Sequence, residues 1–193
     1  FNYIMKTIEH FVNGKPFSGE SKRAGKIFNP ATGDQSAEVK LATTKDINDA
    51  VANAKKAFEA WSNKPPLQRA RIMFKFKELI EKNSDELTKI IVAEHGKVYE
   101  DARGSLTRGL EVVEYACGIP QMLKGEFTEN VGSNVDSWSI RQPLGVCAGV
   151  TPFNFPAMVP MWMFPMAIAC GNTFVLKPSE KNPSCSLRLA ELL

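Results

Sequence analysis

The fold is decided by residues 145–180, which read GVCAGVTPFNFPAMVPMWMFPMAIACGNTFVLKPSE. From Gln142 through Leu176 the chain contains no Asp, Glu, Lys or Arg, although 23% of all its residues are charged. We expect this stretch to be buried, because apolar side chains gain free energy on leaving water and charged ones do not. The rest of the chain is therefore expected to pack around it.

Prolines and glycines divide this stretch into three elements. Gly145–Val150 is a short apolar run, which is typical of a fully buried strand. Pro156 predicts the start of a helix, because the N–H that proline lacks has no intrahelical partner there anyway. Gly171 predicts its end near Cys170. Thr173–Lys177 is a second apolar and β-branched strand. The order strand–helix–strand predicts a parallel pair of strands with a right-handed crossover.

The predicted helix is too short to cross a membrane. It contains Pro160 and Pro165, and a span needs roughly 20 apolar residues. We therefore predict a buried helix and no membrane partner. The N-terminus has no basic and apolar signal pattern, and Phe1–Ile4 precede Met5, a plausible initiator. We interpret those first four residues as leader or added residues.

Polar residues follow both predicted strands. Thr151–Asn154 come after the first strand, and Lys177–Glu180 come at the end of the second. In an open parallel sheet, ligands bind beyond the carboxyl ends of the strands. Either cluster alone is equally compatible with ordinary punctuation at a strand end. Together, at this spacing, they indicate the side of the sheet at which a cofactor binds.

The composition argues against a nucleic-acid partner and a metal site, but it does not by itself identify a function. The net charge is +3, and acidic and basic residues are interspersed, which gives no reason to expect a nucleic-acid partner. There is no C-x-x-C motif, and neither His10 nor His95 has a cysteine nearby in sequence, so we expect no metal site. The four cysteines lie far apart in apolar surroundings: Cys117, Cys147, Cys170 and Cys185. We expect them to be reduced thiols in a reducing compartment, the cytoplasm or, in a eukaryote, the mitochondrial matrix.

The first two thirds of the chain predict short strands and then helices. Phe11–Pro16 and Ile27–Gly33 are typical of short strands joined by Asn/Gly turns. Four helices with apolar faces follow, and we expect these faces to be core. Their predicted bounds are a capped start at Thr43 with Asp46, a start at Pro65-Pro66, a helix from Ser84 to Gly96, and one from Val98 to Met122.

The segment Glu126–Arg141 changes character. It is polar and β-prone, with turn residues at Gly132–Asn134, which predicts a hairpin that protrudes from the helices. An exposed strand edge is a template for pairing with another chain. By itself, however, the pattern is better explained by an ordinary surface hairpin.

The motifs above resemble a known family. TPFNFP, an uncharged helix and then GNTFVLKPSE are similar to the aldehyde dehydrogenase superfamily. The longer run TPFNFPAMVPMWMFPMAIACGN resembles its CoA-acylating methylmalonate-semialdehyde dehydrogenase branch. The resemblance extends from near the N-terminus to Leu193. Family members are much longer, and the position matching their nucleophilic cysteine would lie beyond Leu193.

The resemblance implies an α/β fold: the N-terminal part of an aldehyde dehydrogenase, with the start of a Rossmann-like parallel sheet, flanking helices and a protruding hairpin. It divides the chain into three parts. Residues 1–124 would be the N-terminal arm and the helices of the NAD-binding domain, and 125–143 an oligomerisation hairpin of a homodimer or homotetramer. Residues 144–193 would be the first strand–helix–strand unit of the NAD-binding sheet.

The resemblance also implies site residues. Asn154 would donate to the oxyanion that forms on the aldehyde, as a rigid neutral donor suited to that charge. Its other reading is an amide that only ties the loop together. Lys177 and Glu180 would bind the adenosine ribose, and the carboxylate would favour NAD over NADP. Thr151, Phe153 and Lys181 would line the cofactor. The absence of G-x-G-x-x-G is expected for this family.

Three further residues are candidates for the substrate. Arg108 would bind the carboxylate of methylmalonate semialdehyde, since a guanidinium is the best partner for that group; an ordinary exposed arginine fits equally well. Phe155 and Trp162 would form apolar wall, or core. None of the four cysteines is a candidate nucleophile, because nothing basic is predicted beside Cys147 or Cys170 to lower a thiol pKa.

The resulting functional expectation is an NAD-dependent oxidation of methylmalonate or malonate semialdehyde. With coenzyme A as co-substrate it would give propanoyl-CoA or acetyl-CoA and CO₂. We expect the 193-residue chain by itself not to oxidise aldehydes. Two alternatives remain: a hydrolytic semialdehyde dehydrogenase, and a non-catalytic chain that binds nucleotide or self-associates.

Overall fold

The structure, a computed structural model, describes residues 6–193. The interpretation of Phe1–Ile4 as leader residues, with Met5 as initiator, lies outside the described residues. None of the helices within 6–193 combines the length and the apolar character that a membrane crossing requires.

The N-terminal arm consists of five short strands. They are β1 (Lys6–Ile8), β2 (His10–Val12), β3 (Lys15–Phe17), β4 (Ala24–Phe28) and β5 (Gln35–Lys40). β5 lies between β1, to which it is parallel, and β4, to which it is antiparallel, whereas β2 and β3 form a separate hairpin. Ile8, Ile27 and Val39 form a small core of their own. The strand predicted over Ile27–Gly33 ends at Phe28, because Asn29 accepts the backbone N–H of Gly33 and closes a turn.

Five helices follow the arm. They are α1 (Thr44–Ser62), α2 (Pro66–Lys82), α3 (Ser84–His95), α4 (Tyr99–Cys117) and α5 (Ile119–Met122). The start of α1 is confirmed, since Thr43 and Asp46 form a reciprocal capping box. Gly96 ends α3 in the left-handed conformation, with φ of 82°, as its sequence position predicted. The single helix predicted over Val98–Met122 is two helices, divided at Gly118, whose successor Ile119 precedes a proline.

The apolar face of α1 is only partly core. Ala54 is buried and the indole of Trp61 donates to the carbonyl of Ile168 at 2.9 Å, but Ile47 and Val51 are 52% and 40% exposed. The expectation that this whole face is core is therefore wrong for the chain alone. The reason is geometric, because α1 packs against a sheet of only two strands, which covers part of its length.

The segment after the helices forms the predicted hairpin. β6 (Phe127–Gly132) and β7 (Val135–Trp138) are antiparallel, and every residue in them is exposed. Asn134, with φ of 60°, is in the left-handed region at the turn, where asparagine is tolerated.

The uncharged stretch folds as its punctuation indicates. β8 (Val146–Val150) and β9 (Thr173–Lys177) are parallel, with Val150 beside Lys177, and α6 (Met158–Ala169) connects them. The helix begins two residues later than predicted, because Pro156 and Ala157 form a turn before it. α7 (Ser184–Leu192) follows β9, and the carboxylate of Glu94 accepts the backbone N–H of Ser184 at 3.1 Å and its hydroxyl at 2.6 Å.

The main core surrounds α6. Its buried side chains come from α2, α3, α4, α6 and α7, with Phe76, Leu106 and Met161 among them. α4 approaches α6 closely at Gly109, where a β-carbon would lie only 3.1 Å from the Cα of Met158. A side chain at this position would require the facing backbone to shift by a few tenths of an ångström. This packing fixes α6 and, through it, the turn that joins α6 to β8.

Candidate functional site

The two polar clusters predicted at the strand ends lie side by side. The backbone N–H of Thr151 donates to the carbonyl of Lys177 at 3.1 Å. The Thr151 side chain is buried, and its hydroxyl has no hydrogen-bond partner among residues 6–193. A buried polar atom without a partner is unusual in a folded protein. This hydroxyl is thus available to a hydrogen-bond partner from outside the described residues.

Asn154 lies in the turn between β8 and α6 and is exposed. Within the described part of the chain, no hydrogen bond holds its side-chain amide. The backbone beside it is held: the carbonyl of Phe153 accepts a hydrogen bond of 2.7 Å from the amide of Asn182. The turn thus presents the Asn154 amide from a backbone that Asn182 holds.

The ring of Phe153 lies between two other residues. It stacks on His95, with ring centroids 6.5 Å apart and an interplanar angle of 28°, and the Nζ of Lys181 lies 4.5 Å from its centroid. Burial, and then the positive charge of Lys97, lower the pKa of His95, whereas the nearby backbone of Asn154 acts in the opposite direction. His95 is therefore neutral at physiological pH.

Lys177 and Glu180 are exposed at the end of β9 and bind each other. The Nζ of Lys177 lies 2.9 Å from Oε2 of Glu180. This hydrogen bond, with the Lys177 charge, lowers the pKa of Glu180. Glu180 is therefore ionised at neutral pH, which is the state in which it accepts hydrogen bonds from hydroxyl groups.

Arg108 and Phe155 line one cavity of about 530 Å³ beside α4. Lys97, Ser105 and Asp101 line it as well. Glu100 and Gly104 complete the lining, so the cavity combines an aromatic wall with two cationic and two acidic side chains. Phe155 directly follows Asn154 in the chain, so the cavity lies next to the turn that carries the Asn154 amide.

Lys97 is the residue of this cavity that sequence reasoning missed. Its Nζ lies 3.7 Å from the centroid of the Phe155 ring and donates to Oγ of Ser105 at 3.3 Å. Burial lowers the pKa of Lys97, the charge of Arg108 lowers it further, and Asp101 opposes both. An anion in the cavity would relieve the repulsion between the two cations.

Trp162 does not join this group. It lies on α6, is 49% exposed and is absent from the lining of the cavity. Its predicted place in an apolar wall stays a prediction, as do the roles of the other site residues.

The cysteines are placed as buried or half-buried thiols. Burial raises the pKa of Cys117 and Cys170, and raises that of Cys185 to about 12. The expectation that nothing basic lies near Cys170 is wrong, because the guanidinium of Arg69 lowers its pKa, although burial has the larger effect. Arg69 is buried, and its Nε donates to the carbonyl of Ala169 at 2.9 Å.

Within residues 6–193, no three His, Cys, Asp or Glu side chains come together as a metal site requires.

Two further residues of the site were not found from the sequence. His95 and Asn182 reach the Phe153–Asn154 turn from the end of α3 and from the segment before α7. The only available signal was the position of Asn182, just after the polar cluster of the second strand.

The chain matches the model of a known family. Residues 17–193 match the aldehyde dehydrogenase family. The chain belongs to the aldehyde dehydrogenase family. The fold class predicted from the PFNFP and KPSE motifs is thereby confirmed, as is the assignment to this family.

Two individual relatives of the chain are named as semialdehyde dehydrogenases. The chain is 53% identical over 188 residues to a malonate-semialdehyde dehydrogenase of Pseudomonas aeruginosa, covering 97% of this chain and 38% of that protein. It is 50% identical over 185 residues to the mitochondrial acylating methylmalonate-semialdehyde dehydrogenase of Arabidopsis thaliana, covering 96% of this chain and 30% of that protein. The chain thus spans 38% of the length of the first of these aldehyde dehydrogenases and 30% of the length of the second.

Solved structures agree with this assignment. A methylmalonate-semialdehyde dehydrogenase from Oceanimonas doudoroffii has a TM-score of 0.95 and 56% identity, covering 97% of this chain and 38% of that one. A protein of Sinorhizobium meliloti, named as a methylmalonate-semialdehyde dehydrogenase and complexed with NAD, has a TM-score of 0.96 and 51% identity. The match covers 98% of this chain and 39% of that one.

Proposed function

We propose that these residues form the N-terminal part of an NAD-dependent, CoA-acylating semialdehyde dehydrogenase. Its substrates would be methylmalonate and malonate semialdehyde, and its products propanoyl-CoA or acetyl-CoA, CO₂ and NADH. The names of the similar proteins support the substrate class, and two of them carry the word acylating.

The observation that carries the proposal is the position of the cavity. Arg108 and Lys97 give it two cations, Phe155 gives it an aromatic wall, and Asn154 directly precedes Phe155. The two cations offer partners for the carboxylate of a semialdehyde, although Glu100 and Asp101 in the same lining balance their formal charge. The aldehyde end of that substrate would then lie towards the amide of Asn154.

Asn154 would act on the charge that develops during the reaction. Attack on an aldehyde converts the carbonyl oxygen into an oxyanion, and a donor that is already in place stabilises the transition state more than the ground state. The amide brings no charge of its own and is exposed. Its backbone is fixed by the contact between Asn182 and Phe153.

The edge formed by β8 and β9 fits NAD. The hydroxyl of Thr151 is a buried polar atom without a partner among the described residues, and Lys177 and Glu180 are exposed beside it. Glu180, which is ionised, would accept both ribose hydroxyls and repel a 2′-phosphate, while Lys177 would donate to one hydroxyl. Phe153 and Lys181 would line the same edge. When bound, NAD accepts the hydride from the substrate.

The exposed hairpin supports the oligomeric part of the proposal. All residues of β6 and β7 are exposed, including Phe127 and Trp138 at one end of the ladder. Edge strands of this kind pair with another chain unless they are protected. A homodimer or homotetramer in the cytoplasm, or in the mitochondrial matrix of a eukaryote, is the assembly that we propose. The same hairpin supports the second candidate function, a chain that only self-associates.

The test is a product analysis with a full-length enzyme that contains these residues. With methylmalonate semialdehyde, NAD and CoA, we expect NADH together with propanoyl-CoA. Free acid formed at the same rate with or without CoA would instead indicate the hydrolytic enzyme, and no NADH at all would contradict the proposal. The 193-residue chain serves as the control. We expect no NADH from it, because burial raises the pKa of three of its four thiols.

A further inference from the structure

Asn182 makes a contact that its place in the sequence does not suggest. It lies between Lys181 and Pro183, just before α7, and only 2% of it is exposed. Its Nδ2 donates to the backbone carbonyl of Phe153, 29 residues earlier, at 2.7 Å. A carbonyl can only accept a hydrogen bond, so the atom that faces it is the amide nitrogen. The other amide atom, Oδ1, is buried and has no partner among residues 6–193.

This contact fixes one specific peptide plane. The carbonyl of Phe153 and the backbone nitrogen of Asn154 belong to the same planar group, so holding one holds the other. The side chain of Asn154 leaves the backbone from the next atom. A second contact also confines the turn, because the ring of Phe153 stacks on His95 of α3.

We propose that Asn182 is a positioning residue for Asn154. It orients the Phe153–Asn154 peptide and ties it to the segment that carries Glu180 and Lys181. The kinetic part of this inference rests on the proposed oxyanion role of Asn154, whereas the structural part does not. A displacement of about 1 Å in a positioned group costs on the order of 10²-fold in rate, so the loss of this hydrogen bond is expected to slow the chemical step.

Asn172 provides a matched control. It is also a buried asparagine, at the opposite end of β9. Its Oδ1 accepts the backbone N–H groups of Leu144 and Gly145 at 2.7 and 3.0 Å. Replacing Asn172 by alanine removes hydrogen bonds from a loop, as replacing Asn182 does. The loop that Asn172 holds, however, leads into β8 and not into the Asn154 turn.

The first experiment uses the 193-residue chain and measures 15N relaxation of the backbone amides by NMR. A held backbone has an order parameter of about 0.85, and that of a flexible one falls below about 0.6. In Asn182→Ala we expect the order parameters of Phe153, Asn154 and Phe155 to fall below about 0.6, and in Asn172→Ala we expect them to stay at about 0.85. Unchanged order parameters in Asn182→Ala would overturn the inference, and so would an equal fall in both variants.

A second variant keeps the inference falsifiable if alanine unfolds the chain. Asn182→Asp is nearly isosteric, and its carboxyl group can donate to the Phe153 carbonyl only while it is protonated. Burial raises the pKa of such a group. We expect the order parameters of the same three amides to match those of the unmodified chain while the carboxyl group is protonated, and to fall below about 0.6 once it has ionised at higher pH. Order parameters that do not change with pH would contradict the proposed hydrogen bond.

The kinetic experiment uses the full-length enzyme and single-turnover hydride transfer. We expect Asn182→Ala to slow this step at least tenfold, and Asn172→Ala to slow it less than twofold. Because Asn182 would act through Asn154, adding Asn182→Ala to Asn154→Ala should cause no further loss. Losses that multiply would overturn the inference. If Asn154→Ala alone leaves the rate unchanged, the proposed oxyanion role fails, and the relaxation experiment still decides whether Asn182 holds the turn.

Discussion

The backbone N–H of Thr151 donates to the carbonyl of Lys177 at 3.1 Å, across the ends of two parallel strands. Thr151 directly follows β8, and Lys177 is the last residue of β9. This contact brings the two polar clusters of the sequence together at the edge where open parallel sheets bind ligands. Each cluster also has an exposed side chain, Asn154 in one and Glu180 in the other. The oxyanion and cofactor roles can therefore be tested separately.

Glu180→Ala is expected to weaken NAD binding in the full-length enzyme. Hydrogen bonds to a charged group contribute about 1.5–3 kcal/mol, and because Glu180 is exposed we expect the lower end, about a tenfold rise in Kd. The affinity for NADP should fall less or increase, since the carboxylate no longer repels the 2′-phosphate. Calorimetric titration with both cofactors measures this. Glu191→Ala is the control, because it removes an exposed i,i+3 ion pair with Arg188 of the same kind. Unchanged affinity for both cofactors would show that Glu180 is only a residue of a solvated turn.

Asn154→Ala is expected to leave the fold and the NAD affinity nearly intact and to slow the chemical step. Removal of one preorganised oxyanion donor costs roughly 10²–10³ in kcat. The activity should fall without vanishing, because the loss of one donor leaves the other contributions to catalysis in place. Pre-steady-state NADH absorbance separates hydride transfer from product release. A rate within twofold of the unmodified enzyme would exclude the oxyanion role.

Arg108→Leu is expected to raise KM for semialdehydes that carry a carboxylate by about tenfold or more, since a charge-assisted hydrogen bond is lost. Propanal, which has no carboxylate, should be oxidised as before. Arg103→Leu is the control, because Arg103 is exposed on the same helix but is not part of the cavity lining. Initial rates with both substrates measure the effect. An equal loss on the two substrates would indicate a structural role for Arg108.

Asp46→Asn is expected to change how stability depends on pH. The carboxylate accepts hydrogen bonds from the backbone and hydroxyl of Thr43, both at 2.7 Å, and from the backbone of Glu20 at 3.1 Å. These bonds, those of Thr43 first, lower the pKa of Asp46 in the folded state. The stability that they provide is present above the unfolded-state pKa, about 3.9, and is lost as the pH falls through the lower folded-state value. Thermal unfolding from pH 6 to pH 2 should therefore show a shallower acid decline in the variant. Parallel curves would contradict this role.

Sequence reasoning found the elements whose signals are local. The capping residue Thr43, the helix-ending Gly96 and the strand Thr173–Lys177 all lie where the sequence placed them, because turn and capping chemistry acts over a few residues. The short strands β1 and β5 were missed. Their pairing is with each other, across a long separation in sequence, and their exposed polar residues hide the apolar alternation.

In the candidate site, the residues that follow strands could be predicted from the sequence, and those that reach the site through helix packing could not. Asn154 and Glu180 follow strands, so strand order alone places them at one edge. Lys97 and Asn182 reach the site from helices α3 and α7, or from the segments beside them, and their contacts with Phe155 and Phe153 depend on how these helices pack. The exposure of Ile47 and Val51 could not be predicted either, since an apolar face does not show how much of it a neighbour covers.

The reactivity of Cys185 reports how fast the start of α7 separates from the helices that it packs against. This cysteine is the second residue of α7 and 1% exposed, and burial raises its pKa to about 12. The thiolate is the nucleophile that attacks an alkylating reagent, so Cys185 is labelled only after this end of α7 has separated from its neighbours. The hydrogen bonds from Ser184 to Glu94 hold the same end closed. The alkylation half-life of Cys185 therefore measures how fast the start of α7 opens locally. This part of α7 directly follows the segment through which Asn182 holds the Asn154 turn.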